Sequence, residues 1–363
     1  MRFASVSLFC VSADGSAIEL AAANVPYSSL LWTRRFSSVG EFQLDLNCPM
    51  PVEWPGRYLV ASSESEEVGI VEKASCDAGA FPTLEGRFAE SLWDRARFTE
   101  SGGSARGANW RQAVTAAATS WLMPDAPRIA LGDGAQAPTG SSYAISGQAG
   151  DSPMEAILST SSGNGARPVL SYPWGADRSA LTLKIRAGRD LSRSQRANPW
   201  VLFSVMSGGA LSVSYSGDYS TMCSEVRAWA EKGSDADRVT AAATVQVPGF
   251  DASTMWRARA FEDVGSLVPE DENPTQASVS AYGGLRAYDH MAALEMDCDP
   301  TGGYREKWDL GDTVEVEFPA MGISGALRIE EVRETYDKQG ARFEVTVGNR
   351  SISKLERKLM GRR

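Results

Sequence analysis

Residues 41–46 read Glu-Phe-Gln-Leu-Asp-Leu, a strict alternation of polar and apolar side chains. Successive side chains of a β-strand point to opposite faces, so this hexamer would bury its three apolar side chains and expose its three polar ones. The same two-residue period recurs at 181–186, 314–318 and 342–347. Strands with one apolar and one polar face are typical of antiparallel sheets. The sequence therefore predicts a mainly β protein with strands concentrated towards both ends.

Helices are expected between these strand regions. The stretch 109–123 has apolar side chains at helical spacing and is stopped by Pro124. A capping box with proline at the first helical position, Ser152-Pro153-Met154-Glu155, predicts a second helix that runs through Leu158. A third helix is predicted over 275–290, where two adjacent glycines lower the helix propensity.

The chain has 363 residues, which is longer than a chain with a single compact hydrophobic core usually is. We therefore expect several domains. Glycine- and serine-rich stretches at 101–108 and 132–150 bracket a middle region. The predicted parts are a β-rich N-terminal part, a mixed α/β middle part, a β-rich C-terminal part and a basic tail, at residues 1–100, 101–205, 206–350 and 351–363.

The bulk composition argues against several classes of function. The formal net charge is −10, whereas stable nucleic-acid binding needs a basic face. No apolar run approaches the roughly 18 residues that span a bilayer, so no membrane anchor is expected. The first eleven residues alternate apolar side chains with serines, which predicts a strand rather than a signal peptide. The protein is expected to be made in the cytoplasm.

The residues that usually carry chemistry are sparse. A single histidine, His290, cannot form a zinc-ligand cluster, and five widely spaced cysteines without a C-x-x-C motif predict free thiols. No phosphate-binding loop is complete. Residues 297–302 begin like a calcium loop, but Trp308 stands where the bidentate acid is needed. We therefore expect no enzyme activity, no cofactor and no metal site.

A basic stretch stands out in this acidic chain. Its candidate interface residues are Arg186, Arg189, Arg193 and Arg196. One interpretation is a contact with DNA or with an acidic neighbouring subunit. The other is a strand edge protected by charge and followed by a polar loop.

Three segments together resemble the siphophage tail-tip hub family, whose longer members are called tail-associated lysins. They comprise 30–44, then 56–97, then 309–348, and residues 101–180 match the family poorly. The motif residues that we single out are Trp32, Gly40, Phe42, Gly69, Gly86, Trp93, Asp309, Gly311, Asp312 and Gly322. The tryptophans and Phe42 are large enough to anchor a core, and the glycines suit turns or close backbone approach. Positive φ is expected at Gly311, inside the turn signal Asp-Leu-Gly-Asp.

The resemblance implies two tube-like antiparallel β-barrel domains with a mixed α/β region between them. It also implies a homotrimer whose six barrels imitate a sixfold tube and close its distal end. The implied partners are the distal tail protein ring, the tail tube, tail fibre or receptor-binding proteins and the tape-measure protein, in the virion tail tip. Lys354, Arg357 and Lys358 of the basic tail are expected to lie against an acidic neighbouring subunit.

Two other classes of function remain as alternatives. A short tail lysin acting on the cell wall would need an acid pair or a thiol that the sequence does not reveal. A host cell-wall carbohydrate-binding module would use some of the ten tryptophans, and several of them would then line one groove.

Overall fold

The structure is a computed structural model. It describes residues 4–50, 57–98, 102–172, 179–218, 222–233, 237–247, 252, 256–268, 272–287, 293–300, 302–321 and 323–348. The described parts leave out Gly322, His290, Lys354, Arg357, Lys358 and the rest of the basic tail.

Within these residues the chain forms twenty-two strands and four α-helices. The N-terminal elements are β1 (Val6–Val11), β2 (Ile18–Ala22), β3 (Tyr27–Arg35), β4 (Glu41–Leu46), β5 (Tyr58–Ser62), β6 (Val68–Ser75), β7 (Thr83–Phe88) and α1 (Leu92–Arg95). The middle elements are β8 (Gly103–Gly107), α2 (Trp110–Ser120), β9 (Arg128–Leu131), β10 (Tyr143–Gly147), α3 (Pro153–Gly163), β11 (Ala166–Ser171) and β12 (Ala180–Ala187). The later elements are β13 (Asp190–Leu191), β14 (Leu202–Phe203), β15 (Ala210–Asp218), β16 (Glu225–Lys232), β17 (Val239–Gln246), β18 (Arg259–Asp263), α4 (Gln276–Ala287), β19 (Ala293–Pro300), β20 (Thr313–Phe318), β21 (Ile323–Asp337) and β22 (Gly340–Gly348).

The prediction of a mainly β protein is confirmed. Strands β4, β12, β20 and β22 coincide with the four alternating stretches. In β4, Phe42, Leu44 and Leu46 are buried while Glu41 and Gln43 are exposed, as a half-wetted strand requires.

Both ends of the chain contribute to one sheet of fourteen strands. Its main path runs β15-β19-β22-β21-β3-β4-β7-β6-β5-β1-β2, and β13, β14 and β20 join it through β20 and β21. The two ends meet where β21 pairs antiparallel with β3, placing Glu334 opposite Trp32. Residues separated by about three hundred positions are therefore neighbours in one hydrogen-bonded ladder.

The N-terminal strands are covered on both faces. Leu8 and Val60 belong to a core on one side of the sheet, and their neighbours Phe9 and Leu59 belong to a core on the other. The second core contains α2, whose buried Ala117 packs there. Because both faces are buried, β1 is apolar at nearly every position and has no alternation.

The middle region holds two small sheets and two helices. Strand β8 pairs with β10, and the order β11-β12-β9 forms the other sheet. Strand β8 lies inside the glycine-rich stretch 101–108, and β10 lies inside the stretch 132–150. Glycine-rich stretches of this chain therefore contain short strands as well as loops.

The predicted helices are present, with one difference in capping. Asn109 accepts a hydrogen bond from the backbone N–H of Gln112 and caps α2. The capping box predicted at Ser152 is wrong, because its hydroxyl makes no cap bond and instead donates to Asp94 Oδ1 at 2.9 Å. Helix α3 also continues five residues beyond Leu158, to Gly163.

A third small sheet, ordered β17-β16-β18, lies with α4 in a separate part of the fold with its own apolar clusters. The described cysteines Cys10, Cys48, Cys76 and Cys223 are free thiols. No helix among the described residues is long and apolar enough to cross a bilayer.

A substitution at Gly311 tests the conformation of the turn that precedes β20. Its φ is +89°, as expected for the turn, and an added Cβ would lie 2.4 Å from Phe36 Cε2. We expect Gly311→Val to lower the free energy of unfolding by about 3 kcal/mol or more, because backbone strain and overpacking add. Urea unfolding of the purified chain measures this difference.

Gly150→Val is the matched control. Gly150 has nearly the same φ, +87°, but an added Cβ would meet no heavy atom within 4 Å. It should therefore show only the backbone strain, about 1–2 kcal/mol. Equal losses in the two variants would contradict the packing argument.

Candidate functional site: a buried ionic junction

A cluster of charged and phenolic side chains lies where the N-terminal, middle and C-terminal segments meet. We call it the ionic junction, and its members are Arg34, Glu67, Arg167, Tyr304, Asp309 and Glu334. They come from β3, the turn before β6, β11, the segment before β20, and β21. The junction thus connects the N-terminal and C-terminal strands β3 and β21 of the fourteen-stranded sheet to β11 of the middle region.

Arg34 is the centre of the junction. Its side chain is only 3% exposed, yet its Nε donates to Glu67 Oε1 at 2.7 Å. Its Nη1 donates to Asp309 Oδ1 and to the hydroxyl of Tyr304, both at 2.6 Å. A buried guanidinium is tolerated only when such partners replace its hydration.

Glu67 is completely buried and joins two arginines. Its Oε1 accepts from Arg34 and from Arg167, while Oε2 accepts from the hydroxyl of Ser65. Burial alone would raise the pKa of Glu67, but the two guanidinium groups hold that pKa well below its usual value. The carboxylate therefore stays charged and links β3 to β11.

Glu334 extends the network along β21. It accepts from Tyr304 and Tyr336 hydroxyls and from Arg305 Nη2, each at 2.6 Å. Burial raises the pKa of Glu334, and Arg305 and Arg34 oppose that rise. Burial and nearby negative charge likewise keep Tyr336 protonated, as a donor.

Most of the predicted interface arginines make ion pairs within the chain. Arg186 pairs with Glu66 at 2.6 Å, and Arg189 pairs with Asp312 at 2.6 Å. Arg193 Nη1 lies 3.0 Å from Glu317 Oε1, and its guanidinium stacks 4.9 Å from the ring centroid of Trp200. Arg196 is exposed and has no ion-pair partner among the described residues. Whether these arginines contact a partner stays a prediction.

The motif residues of the N-terminal segments lie in tightly packed surroundings. Trp32, Phe42 and Trp93 are buried. Gly69 faces the ring of Phe42, which a Cβ would approach to 2.4 Å. Gly40 and Gly86 also lie where a Cβ would collide with neighbouring strands.

The C-terminal motif forms the tight turn that presents Asp309 to Arg34. Asp312 Oδ2 accepts from the backbone N–H of Asp309 at 2.9 Å, and Asp309 Oδ1 accepts from that of Leu310 at 2.7 Å. Two motifs that are far apart in sequence, around Trp32 and around Gly311, therefore belong to one site.

Sequence reasoning did not single out Arg34, Glu67 or Arg167. A signal existed for Arg34: it follows Leu30 and Trp32 at two-residue spacing and precedes Phe36, so its side chain falls on the buried face of β3. A charge at such a position needs a buried partner. The identity of that partner cannot be read from the strand.

Glu90 is a second buried acid beside the junction. Its Oε1 accepts from the backbone N–H of Leu170 at 2.9 Å, while its Oε2 has no hydrogen-bond partner among the residues that the structure describes. Burial raises its pKa to about 7. Only 4% of Glu90 is exposed, so a substrate could not reach it, and we interpret it as a structural link.

The role that this arrangement can perform is to hold distant segments of the chain together and so stabilise the fold. The charged groups of the junction bind one another, and all of them are buried except Asp309, whose side chain is 39% exposed. The described residues contain no group of three or more histidine, cysteine and acidic side chains that could hold a metal ion.

Removing Glu67 should be severe. Glu67→Ala leaves Arg34 and Arg167 buried without their shared carboxylate, and we expect a loss of about 3–5 kcal/mol in the free energy of unfolding. Glu85→Ala is the control, because it breaks an exposed pair with Lys73 and should cost less than about 1 kcal/mol. Denaturant midpoints compare the two, and similar losses would contradict the role of the junction.

Glu90→Gln should change the pH dependence of stability. Because the folded-state pKa lies above the unfolded value, the folded protein binds this proton more tightly, and stability falls as pH rises from about 4.5 to about 7. Glutamine removes that titration, so the variant should gain up to roughly 3 kcal/mol over the wild type between pH 5 and 8. Urea unfolding at both pH values tests this, with Glu85→Gln as control. A difference that does not change with pH would contradict the assignment.

Comparison with known proteins bears on the same regions. The profile of the family described as Siphovirus ReqiPepy6 Gp37-like protein matches residues 136–349. No curated protein matches the sequence.

Several solved structures share the fold over nearly the whole chain. The prophage MuSo2 43 kDa tail protein from Shewanella oneidensis is 13% identical, with a TM-score of 0.56, and the match covers 95% of this chain and 98% of that one. The tail protein from Neisseria meningitidis MC58 is 15% identical, with a TM-score of 0.59 and coverage of 95% and 96%. The prophage tail protein gp18 from Listeria monocytogenes EGD-e is 10% identical, with a TM-score of 0.56 and coverage of 99% and 98%.

These findings confirm the sequence-based resemblance to siphophage tail proteins. The family profile covers more than half of the chain, and the structural matches extend to its N-terminal strands. The chain therefore belongs to the Siphovirus ReqiPepy6 Gp37-like protein family and has the fold of phage tail proteins.

Proposed function

We propose that this chain is the structural hub of a siphophage tail tip, closing the distal end of the tail tube and adapting its symmetry from six to three. The observation that carries the proposal is the division of the fourteen-stranded sheet into two halves of seven strands. One half is β1–β7, and the other comprises β13–β15 and β19–β22. Three chains with two such halves each would present six units to a sixfold tube.

Each half has its own apolar core. The core around Trp32 and Leu44 serves the N-terminal half, and the core around Phe203 and Trp308 serves the later one. We therefore assign 1–100 and 206–350 to the two tube-like units and 101–205 to the mixed α/β region, except that β13 and β14, at the end of 101–205, join the second unit. The ionic junction would keep the two units in a fixed relative position when the ring is under mechanical load.

The two ends of the sheet are suited to contact between copies. Strands β2 and β15 lie at opposite ends of the main strand path, with one hydrogen-bonded neighbour each among the described strands. Such edges favour pairing with another chain unless they are covered. A head-to-tail ring of three copies would cover both edges in every chain.

Apolar side chains are exposed near both edges. Near β15 the surface carries Met206, which is 83% exposed, together with Leu211. Near β2 it carries exposed Leu20. Burial of these apolar side chains would favour association at the edges.

The proposal includes the surroundings of the hub. The ring would bind the distal tail protein ring and tail tube on one side, tail fibre or receptor-binding proteins around it, and the tape-measure protein at its lumen. Assembly would take place in the host cytoplasm, and the mature position would be the virion tail tip. The tail 351–363 would lie against an acidic neighbouring subunit, which accords with a net charge of −10 for the chain.

Disulfide crosslinking tests the ring. In a Cys76→Ser background, we expect oxidation of Leu20→Cys with Leu211→Cys to link copies into dimers and closed trimers in assembled tails. Leu20→Cys with Leu131→Cys, on an exposed strand of the middle region, is the control and should give no ladder. Covalent species larger than three copies, or no crosslink, would contradict the trimer.

A structural hub needs no reaction, so we expect no hydrolase activity. Purified protein incubated with host peptidoglycan should release no soluble fragments above a heat-inactivated control. Release that a single acid-to-amide substitution abolishes would favour a short tail lysin instead.

A further inference from the structure

The three-stranded sheet β17-β16-β18 has one covered face and one exposed face. Helix α4 packs on the face that carries Ala228 and Ala230. Its Gly283 lies so close that an added Cβ would be 2.6 Å from the Cβ of Ala228. Side chains alternate along β16, so Arg227 and Trp229 point away from α4, to the opposite face.

The register of the strands places a compact set of groups on that opposite face. Arg227 lies opposite Thr244 of β17 and beside Phe261 of β18. In the next row, Trp229 lies between Ala242 and Asp263. Neighbouring strands are about 4.8 Å apart, so these groups lie within one ligand's reach of each other.

The first row of this face differs from the next two. There Glu225 accepts from Arg259 and from Gln246, which neutralises that row. Arg227, by contrast, is exposed and has no carboxylate partner among the described residues. The indole N–H of Trp229 likewise makes no hydrogen bond to any described residue.

Phe261 adds an exposed ring to the set. Its side chain is 62% exposed, and no ring contact with another described aromatic side chain covers it. An exposed phenylalanine beside an unpaired guanidinium contributes little to folding, because neither group leaves water. The combination is typical of a surface that binds a ligand.

We propose that this face, comprising Arg227, Trp229, Thr244, Phe261 and Asp263, binds a carboxylated polysaccharide. The rings of Trp229 and Phe261 would stack on the apolar faces of the sugars. The guanidinium of Arg227 would pair with a sugar carboxylate, where a two-pronged charge-assisted contact is available. The Thr244 hydroxyl and the free indole N–H would bind sugar hydroxyls.

The charges on this face favour a sparsely charged glycan over a nucleic acid. Asp263 stands directly beside Trp229, and Glu231 two residues further along β16 is paired with Arg238. These carboxylates can accept hydrogen bonds from hydroxyl groups, but they would repel closely spaced phosphates. An extended peptide would pair with a strand edge, whereas the unpaired groups lie on the face of the sheet.

Titration of the full chain with two matched probes tests the proposal. The probes are a short hyaluronan oligosaccharide, which carries a carboxylate on every second sugar, and its methyl ester, which has the same sugar rings without the charge. Calorimetry at low salt should show binding of the acid and weaker binding of the ester. Phe261→Ala should weaken binding of both probes by about tenfold or more. Arg227→Gln should remove the preference for the acid.

The control variants make the same types of substitution at other exposed positions. Phe81→Ala and Arg128→Gln remove an exposed phenylalanine and an exposed arginine elsewhere, and they should leave both affinities unchanged. All four substitutions are at exposed positions, so unchanged melting temperatures are expected. The proposal is overturned if neither probe binds, or if Phe261→Ala and Arg227→Gln bind like the wild type. Equal competition by an oligoglutamate peptide of the same charge would also overturn it, in favour of a protein partner.

Discussion

Arg34 places a positive charge on the buried face of β3, and the rest of the structure is arranged to neutralise it. A guanidinium in the interior loses its hydration, and the loss is tolerable only if carboxylates and hydroxyls surround it. Here Glu67, Asp309 and Tyr304 do so: Glu67 comes from the turn before β6, and Tyr304 and Asp309 come from the segment before β20. The fold cannot form locally around β3, because the charge is satisfied only when both of these segments are in place.

Because Arg34 needs these distant partners, the N-terminal and C-terminal strands of the sheet are held together. Strand β21 pairs with β3 through backbone hydrogen bonds, while Arg34 and Glu334, one on each of these strands, both bind the hydroxyl of Tyr304. The middle region is held to the same point, since Arg167 of β11 shares the carboxylate of Glu67. A tail component must keep its parts in register while neighbours contact it, and a buried network with few alternative partners resists sliding better than apolar packing alone.

The surfaces divide into two kinds. At the ends of the fourteen-stranded sheet, open strand edges lie near exposed apolar side chains, which suits contact with further copies of the chain. The small sheet β16–β18 offers a different surface, flat and mixed in character, with Arg227 and Phe261 side by side. The exposed tryptophans of the described chain, Trp200 and Trp256, lie in separate segments, before β14 and before β18. A carbohydrate-binding role would therefore be local to the small sheet and would leave the proposed architecture of the hub unchanged.

The sequence by itself determined the mainly β class, the alternating strands such as β4, and the turn at Gly311, because side-chain periodicity and backbone conformation are local properties. It predicted a strand within the first eleven residues but did not reveal that β1 is buried on both faces, because that burial depends on which segments cover the sheet. It also suggested a cap at Ser152, whose hydroxyl instead binds Asp94. Only the tertiary structure decided that Arg34 pairs with Glu67 and Asp309, and that Arg227 has no carboxylate partner within the described parts of the chain. Burial and charge pairing depend on which distant segments meet, and no local pattern encodes that meeting.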